Sequence, residues 1–167
     1  MADFAKYAPL LQELEGGFVD HPGDKGGPTC AGITLTTYRD FYGEDKTVED
    51  LRRISDDEWG HIMKTGYWDR CRADKISSQK VAELIVDWCV NSGSIGICKT
   101  QEVVGAKPDG IVGPITLSLI NSSDPARLFE RLWNARRQHY INIVKRSPSQ
   151  KVFMTGWMNR LNRFCYE

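Results

Sequence analysis

Three side chains near the start of the chain have the types that acid–base hydrolysis requires. Glu15 comes directly before Gly16 and Gly17, Asp24 follows nine residues after Glu15 in a loop rich in glycine and proline, and Thr29 follows five residues after Asp24. One carboxyl group can protonate a leaving oxygen while the other activates water or attacks a sugar carbon, and a threonine hydroxyl can hold the water. These residues predict a site for glycoside hydrolysis. The alternative is that both carboxylates are solvated residues at a sharp turn.

A helix is predicted directly before this site. Apolar residues recur at helical spacing, at Phe4, Tyr7, Leu10, Leu11 and Leu14. Pro9 fits best in the first turn of such a helix, and Gly16 is the residue type that ends one. The aligned carbonyl groups at a helix C-terminus disfavour negative charge. Glu15 is therefore expected where the protonated form of a general acid is favoured.

The composition is that of a folded globular chain. The 167 residues are 41% hydrophobic and 26% charged, which is ordinary usage for a soluble domain with a core. No apolar stretch approaches the ~20 residues that a membrane span needs. The first residues show neither the basic nor the apolar part of a signal peptide, so we expect synthesis in the cytoplasm.

Charge is divided unevenly along the chain. Residues 1–124 hold 13 Lys and Arg against 20 Asp and Glu, a net −7, whereas residues 125–167 hold 9 against 2, a net +7. The basic segment is expected to face the acidic part of the same molecule or an anionic partner. The five cysteines are odd in number and widely spaced, so we expect reduced thiols and neither a disulfide framework nor a metal site.

The remaining sequence is mostly helical in pattern. Helix-start signals recur at Thr47, Ser55, Ser77 or Ser78, Gly113, Asp124 and Ser147. The segment 16–34 is the exception, because its glycines and prolines exclude a regular helix and favour a tight loop or hairpin. We predict a mainly α fold with a small irregular or β-hairpin loop after the first helix.

The loop and its flanks resemble the opening signature of glycoside hydrolase family 108, the lysozyme-like muramidases often carried by prophages. The run reads Glu15-Gly-Gly-Phe-Val-Asp-His-Pro-Gly-Asp24-Lys-Gly-Gly-Pro-Thr29-Cys-Ala-Gly-Ile-Thr. The resemblance implies a lysozyme-like helical fold, with Glu15 as general acid, Asp24 as the water-orienting or charge-stabilising carboxylate and Thr29 as its partner. It also places Gly26 and Gly27 in the substrate-binding loop.

One dipeptide departs from the family pattern. Asp20 and His21 precede Pro22, where the family usually has Asn-Asp-Pro. Asp20 is therefore a spare candidate for the second carboxylate.

Later segments resemble the predicted peptidoglycan-binding segment that follows this signature in the family. They are 87–93, Gln101, 109–117 and 156–160. The resemblance implies a lysozyme-like catalytic region over residues 1–94 and a helical peptidoglycan-binding region over residues 95–167, packed in the same body.

Two residues of these segments are candidates for the substrate cleft. Asp87 and Asn91 lie at i and i+4 and share one helix face. Capping or surface roles are the alternative.

Aromatic and basic residues have two interpretations each. Tyr67 and Trp68 follow Gly66 and are expected at the rim of a substrate cleft. Four other tryptophans fall on apolar helical stripes and are expected in the core: Trp59, Trp88, Trp133 and Trp157. A basic cluster is expected to be solvated helix surface, or else to contact anionic wall polymer or lipid: Arg136, Arg137, Lys145 and Arg146.

The resemblance implies a muramidase that cleaves the β-1,4 bond between N-acetylmuramic acid and N-acetylglucosamine in peptidoglycan glycan strands, without a cofactor. It also implies an endolysin that a holin helps to reach the wall. One alternative is a wall peptidase with Cys30 as nucleophile and His21, His61 or His139 as base. Another is a non-catalytic wall-binding module. Nucleic acid is not an expected partner, since the net charge is zero and no reading motif is present.

Overall fold

The computed structural model describes residues 1–20 and 27–166. Across those ranges the fold is helical apart from one small antiparallel sheet, which confirms the predicted fold class. No helix among these residues combines the length and apolarity that a membrane span requires.

The chain divides into two compact units. We call Ala5–Gly66 the N-terminal unit, and Met1–Phe4 with Tyr67–Glu167 the C-terminal unit. The predicted division of roles between residues 1–94 and 95–167 stays a prediction.

The N-terminal unit holds the small sheet and the first helices. Helix α1 (Phe4–Glu15) enters it at Ala5 and is followed by strands β1 (Phe18–Val19), β2 (Thr29–Cys30) and β3 (Ile33–Thr34). The strands lie in the order β1-β2-β3, with both neighbouring pairs antiparallel. Three helices follow: α2 (Leu35–Tyr42), α3 (Val48–Arg52) and α4 (Asp56–Met63). The fully or nearly fully buried side chains of this unit include Tyr7, Leu11, Ile33, Tyr38, Leu51, Trp59, Ile62 and Met63.

Helix α1 begins further upstream than the sequence predicted. It starts at Phe4, so Pro9 lies inside the helix rather than in its first turn. A proline there removes one hydrogen bond of the helical pattern and crowds the carbonyl one turn earlier. The side chains of Tyr7 and Leu11 are both 0% exposed, and their burial offsets this cost.

The predicted helix starts at Thr47, Ser55 and Ser78 are confirmed by their caps, whereas the Ser147 side chain forms no cap. Thr47 and Ser55 each form a complete capping box, with Asp50 and Glu58 as the reciprocal partners. The Ser78 side chain, rather than Ser77, accepts a hydrogen bond from the backbone N–H of Val81. These bonds satisfy backbone donors that have no partner within the helix.

The C-terminal unit is built around one buried helix. The chain enters this unit at Tyr67, within a π-helical turn at Lys64–Trp68, and a 3-10 turn at Ala73–Lys75 leads into α5 (Gln79–Ser92). Every residue of α5 from 81 to 89 is buried, and α5 packs against α6 (Ser94–Val104) and α8 (Pro125–Arg146). A helix covered on all sides is expected to be apolar all round, and Asp87 and Glu83 are the charged exceptions within that span.

The remaining helices complete this unit. They are α7 (Pro114–Ser122), which contacts α6, and α9 (Lys151–Leu161), which packs on α8 after a 3-10 turn at Pro148–Gln150. The prediction that α7 and α8 each begin with a proline is confirmed, and the Asp124 side chain caps α8.

The close packing of α5 against α6 generates a stability prediction. A Cβ at Gly96 of α6 would lie 2.6 Å from the backbone carbonyl carbon and oxygen of Trp88 and 2.9 Å from the backbone N of Cys89. We expect Gly96→Ala to lower the free energy of unfolding by about 1–3 kcal/mol, because the helices must separate. Urea unfolding monitored by circular dichroism measures the change.

Gly156→Ala is the matched control for this prediction. Gly156 lies in α9, is exposed and has no heavy atom within 4 Å of the Cβ position. Here alanine should raise the free energy of unfolding by up to ~1 kcal/mol through helix propensity alone. If Gly96→Ala is stabilised as Gly156→Ala is, α5 and α6 do not require glycine at position 96.

Candidate active site

Glu15 is the last residue of α1, and its carboxylate lies against the backbone of a turn. A Cβ built at Gly32 would lie 2.3 Å from Glu15 Oε2, 2.9 Å from Cδ and 3.1 Å from Cγ. The half-exposed Glu15 side chain therefore occupies the space that any side chain at position 32 would need. This close approach requires glycine at position 32.

The turn that Glu15 contacts is a two-residue hairpin connection. Ala31 and Gly32 join β2 to β3 and have φ values of 45° and 81°. Two consecutive residues with positive φ form the turn type whose twist matches a β-hairpin. Alanine is strained in this region, so other contacts must hold the turn.

Both backbone groups of Ala31 are anchored within the N-terminal unit. The Ala31 N–H donates to the carbonyl of Gly17 at 3.1 Å, just beyond the end of α1. The Ala31 carbonyl accepts a hydrogen bond of 2.9 Å from Nε1 of Trp59, which is 3% exposed. The hairpin turn is thereby tied to the end of α1 and to α4. These two bonds hold Gly32 against the Glu15 carboxylate.

One other predicted catalytic residue, Thr29, lies in this hairpin. Thr29 is half-buried on β2, opposite Val19 on β1 and Thr34 on β3. Asp24 and Gly26 lie outside the described residues, so their assigned roles stay predictions.

Two further loop positions are described. Gly27 has a φ of 70°, with no described residue beyond its chain neighbours within 4 Å of its Cβ position, and Asp20 is exposed just after β1. The substrate-binding role of Gly27 stays a prediction.

Cys30 is poorly suited to act as a nucleophile. It is 9% exposed on β2, next to the turn, and burial raises the pKa of its thiol. A higher pKa lowers the fraction of the reactive thiolate at neutral pH.

Asp87 lies in a buried ion cluster rather than on a surface. Its carboxylate is 0% exposed and accepts hydrogen bonds from Arg136 Nη2 at 2.7 Å and from Arg160 Nη2 at 2.8 Å. Burial alone would raise the pKa of Asp87, but the two guanidinium groups outweigh burial, and the pKa is lowered. The alternative of a surface role for Asp87 is wrong, because α5 is covered on all sides.

The same cluster connects Asp87 to Asn91. Arg136 donates from Nε to the hydroxyl of Tyr140 at 2.7 Å, and that hydroxyl donates to Asn91 Oδ1 at 2.8 Å. Buried polar groups of this kind stabilise a fold only when they are paired. The structure brings the two predicted residues together as parts of one internal network. The expected place of Asp87 in a substrate cleft is wrong, because its side chain is fully buried. Contact of the half-buried Asn91 with substrate stays a prediction.

The predicted basic surface cluster is wrong for Arg136. Its side chain is 0% exposed, whereas Arg137, Lys145 and Arg146 are exposed. Arg136 faces inward because α8 presents it to the buried Asp87 carboxylate.

The 109–117 segment is organised by one glutamine. Gln101 is 1% exposed, and its Nε2 donates to Asp109 Oδ1 at 2.9 Å, the carbonyl of Ile111 at 3.0 Å and Thr116 Oγ1 at 3.2 Å. Its Oε1 accepts from the backbone N–H of Gly110 at 2.9 Å. The polar residues of this motif therefore shape the turn before α7.

The sequence matches two protein-family models. The glycosyl hydrolase 108 model matches residues 9–93, which is more than half of the chain. The chain belongs to glycosyl hydrolase family 108. A second model, described as a predicted peptidoglycan domain, matches residues 96–162. The resemblance to a family 108 signature followed by a peptidoglycan-binding segment is thus confirmed.

A solved structure is similar to this chain over most of its length. The structure of SagA from Brucella abortus is similar with a TM-score of 0.81 and 30% sequence identity, over 96% of this chain and 90% of that one. A search of curated proteins found no match. The family and the peptidoglycan domain together indicate a glycoside hydrolase that acts on peptidoglycan.

The predicted aromatic rim of this family 108 member is only partly accessible. Trp68 is 1% exposed and meets Phe4 edge to face, with ring centroids 5.7 Å apart. Its expected position at a cleft rim is wrong, because the ring is packed inside the C-terminal unit. Tyr67 is half-buried, and its contact with substrate stays a prediction.

The core prediction for the other tryptophans is confirmed for two of them. Trp59 and Trp88 are buried, whereas Trp133 and Trp157 are half-buried. Trp157 stacks on Tyr140 with ring centroids 5.2 Å apart.

Sequence reasoning missed the residues that position the candidate acid. Gly32 and Trp59 touch Glu15 and the turn respectively, but neither carries acid–base chemistry. Ala31 and Gly32 lie in the segment 16–34 that the sequence predicts as a tight loop or hairpin, but Ala-Gly is not a residue pair typical of this turn. The bond from Trp59 gave no local signal, because 28 residues separate it from Ala31.

The Asp87 cluster predicts a pH-dependent stability. Asp87→Asn should lower the free energy of unfolding by about 3–5 kcal/mol at neutral pH, because the buried guanidinium of Arg136 and the partly buried one of Arg160 lose their counter-charge. The folded-state pKa is lowered, so this stabilisation is present above the unfolded pKa of ~3.9 and is lost as pH falls through the folded pKa. The difference in free energy of unfolding between wild type and Asp87→Asn, measured by urea unfolding, should be smaller at pH 3 than at pH 7.

Asp74→Asn is the surface control. Asp74 pairs with Lys75 at 3.5 Å, and both side chains are more than half exposed. This substitution should change the free energy of unfolding by less than ~0.5 kcal/mol at either pH. If Asp87→Asn changes the free energy of unfolding at pH 7 as little as Asp74→Asn does, the proposed stabilising role of the cluster is contradicted.

Proposed function

We propose that this family 108 hydrolase is a muramidase that cleaves the β-1,4 bond between N-acetylmuramic acid and N-acetylglucosamine, with Glu15 as general acid. The observation that carries the proposal is the position of the Glu15 carboxylate. It sits at the end of α1 against the Ala31-Gly32 turn, within the segment that matches the family model. A partly exposed carboxylate that lies against a backbone turn suits a group that must transfer a proton to a bound sugar.

The proposed reaction divides the work between two carboxyl groups. Glu15 protonates the glycosidic oxygen, which leaves as the hydroxyl of one sugar. The second carboxylate, with Asp24 as first candidate and Asp20 as the spare, activates water or stabilises the positive charge that develops on the other sugar. Thr29 on β2 orients the water. Each cleavage releases one new reducing end.

The peptidase alternative is disfavoured by the environment of Cys30. That thiol is buried and its pKa is raised, which opposes formation of the thiolate nucleophile. A wall peptidase would release free amines rather than reducing ends, so the two reactions are separable by product.

We further propose that the enzyme meets its substrate outside the cytoplasm, as an endolysin that a holin releases to the wall. The chemistry would be the same in wall remodelling by a bacterium. Lysis of cells that express the chain with and without a holin distinguishes export through a holin lesion from another route.

Glu15→Gln tests the assignment of the acid. The amide keeps the shape of the side chain but supplies no proton to the leaving oxygen, so the rate of reducing-end release from purified peptidoglycan should fall by about 10²–10⁴-fold. New reducing ends and new free amines are measured in parallel. The fold is checked by thermal unfolding.

Glu13→Gln is the matched control for charge. Glu13 lies on the same helix two residues earlier, and residues at i and i+2 do not share a face. Its activity should stay within about twofold of wild type. The muramidase proposal is overturned if wild type releases amines alone, or if Glu15→Gln retains full release of reducing ends.

Gly32→Ala tests whether the turn positions the acid. The new methyl group would overlap the Glu15 carboxylate, so the carboxylate must move by more than 1 Å to reach ordinary contact distance. We expect kcat to fall by about 10²-fold, since misplacement by ~1 Å costs that much. The rate of reducing-end release at saturating peptidoglycan measures the loss.

Gly105→Ala separates backbone strain from displacement of Glu15. Gly105 has the same φ of 81° as Gly32, but its Cβ position has no atom within 4 Å. Both variants should lose a similar ~1–2 kcal/mol of stability from the strained backbone. If both retain wild-type kcat, the turn does not position Glu15.

A further inference from the structure

A second concave surface lies on the C-terminal unit, between α6 and α8. It is a groove of about 390 Å³ to which α6 contributes Ile95, Lys99 and Glu102 and α8 contributes residues from Ala135 to Arg146. None of these residues belongs to the N-terminal unit that holds Glu15. The groove therefore needs an explanation of its own.

The charges of the groove favour an anion. Lys99 and Arg146 are its cationic side chains, and Glu102 is its carboxylate. Glu102 pairs with Lys99 at 2.7 Å, so the groove keeps a net positive charge from Arg146. A carboxylate in the groove can pair with Arg146 and share Lys99 with Glu102.

The uncharged lining favours a peptide. Gln138 Nε2 donates to Asn142 Oδ1 at 2.9 Å, which leaves Gln138 Oε1 and Asn142 Nδ2 as acceptor and donor for peptide groups. Ile95 and Ile143 add apolar surface that suits methyl side chains. The only ring among the described lining residues is the imidazole of His139, so the groove lacks the aromatic platform on which sugar rings stack.

The length of the groove fits a short extended peptide. Its lining on α8 runs from Ala135 to Arg146, and the eleven steps between these residues at ~1.5 Å each span roughly 16 Å. An extended chain at ~3.3 Å per residue covers the same distance with about five residues. The peptide stems of peptidoglycan are of this size and carry free carboxylates.

We propose that the groove between α6 and α8 binds the peptide stem of peptidoglycan, with Arg146 and Lys99 pairing with its carboxylates. This inference rests on the proposed function, which makes peptidoglycan the substrate. It adds a site that recognises the peptide, whereas the hairpin site recognises and cuts the glycan. Binding of stems would hold the enzyme on the wall while it cleaves.

His139 supplies a reporter inside the groove. It is half-buried, and burial lowers the pKa of its imidazole, as do the positive charges of Lys99, Arg146 and Arg136, while Glu102 raises it. A bound carboxylate between these cations reduces their effect, so the pKa of His139 should rise on binding. The shift is measured from the imidazole proton resonances as a function of pH.

The test uses the full chain and a free wall tetrapeptide as probe. Calorimetry gives the dissociation constant, and NMR gives the pKa of His139 with and without peptide. Arg146→Gln should weaken binding roughly tenfold, the effect of one charge-assisted hydrogen bond, and should reduce the rise in the pKa of His139. Arg137→Gln is the matched control, because Arg137 is exposed on the same helix and does not line the groove.

Three comparison ligands identify what is recognised. Amidation of the peptide carboxyl groups should abolish most of the binding, and a neutral chitooligosaccharide should leave His139 unchanged. Equal binding of the amidated peptide, or of inorganic phosphate at the same residues, would overturn the assignment to stem carboxylates.

The two proposals fail separately. In one outcome, the release of reducing ends depends on Glu15 but the chain does not bind the tetrapeptide. This outcome overturns the proposed groove site and supports the muramidase proposal. In the other outcome, tetrapeptide binding depends on Arg146 but hydrolysis is unaffected by Glu15→Gln. This outcome supports the proposed groove site and overturns the assignment of Glu15 as general acid.

Discussion

The contact between the Glu15 carboxylate and Gly32 is the constraint on which the candidate site depends. No side chain fits at position 32 without displacing Glu15, and position 32 must also adopt a positive φ. Glycine satisfies both demands. The Ala31 N–H donates to the Gly17 carbonyl, and the Ala31 carbonyl accepts from Trp59 Nε1, so the turn is fixed to the end of α1 and to α4. The candidate acid, on a flexible side chain, thus lies against backbone that is held by hydrogen bonds at two points.

The C-terminal unit depends on a different kind of constraint. Asp87 is a charged residue in the middle of a buried helix, and two arginines from the basic segment neutralise it. This pairing accounts for part of the charge asymmetry of the sequence within the molecule. Removing either partner would leave an uncompensated buried charge, so the cluster strongly couples α5 to α8 and α9.

The polar motif residues of this unit also act mainly on shape. Gln101 makes four hydrogen bonds that bend the 109–116 segment into a turn, while Ile111 and Ile115 on that segment are exposed. Residues that resemble a family pattern can thus be retained for architecture rather than contact with substrate. The groove between α6 and α8, by contrast, is lined by residues outside those motifs.

The sequence by itself determined the mainly helical fold, most helix starts and the identity of the candidate acid. Caps such as Thr47 and Ser55 act over three residues, so local chemistry is sufficient to place them. The tertiary structure decided what lies against each side chain. It buried Trp68 and Arg136, extended α1 past Pro9 and set Gly32 beneath Glu15. These outcomes depend on contacts between residues far apart in the chain, and burial against distant partners outweighs local preference.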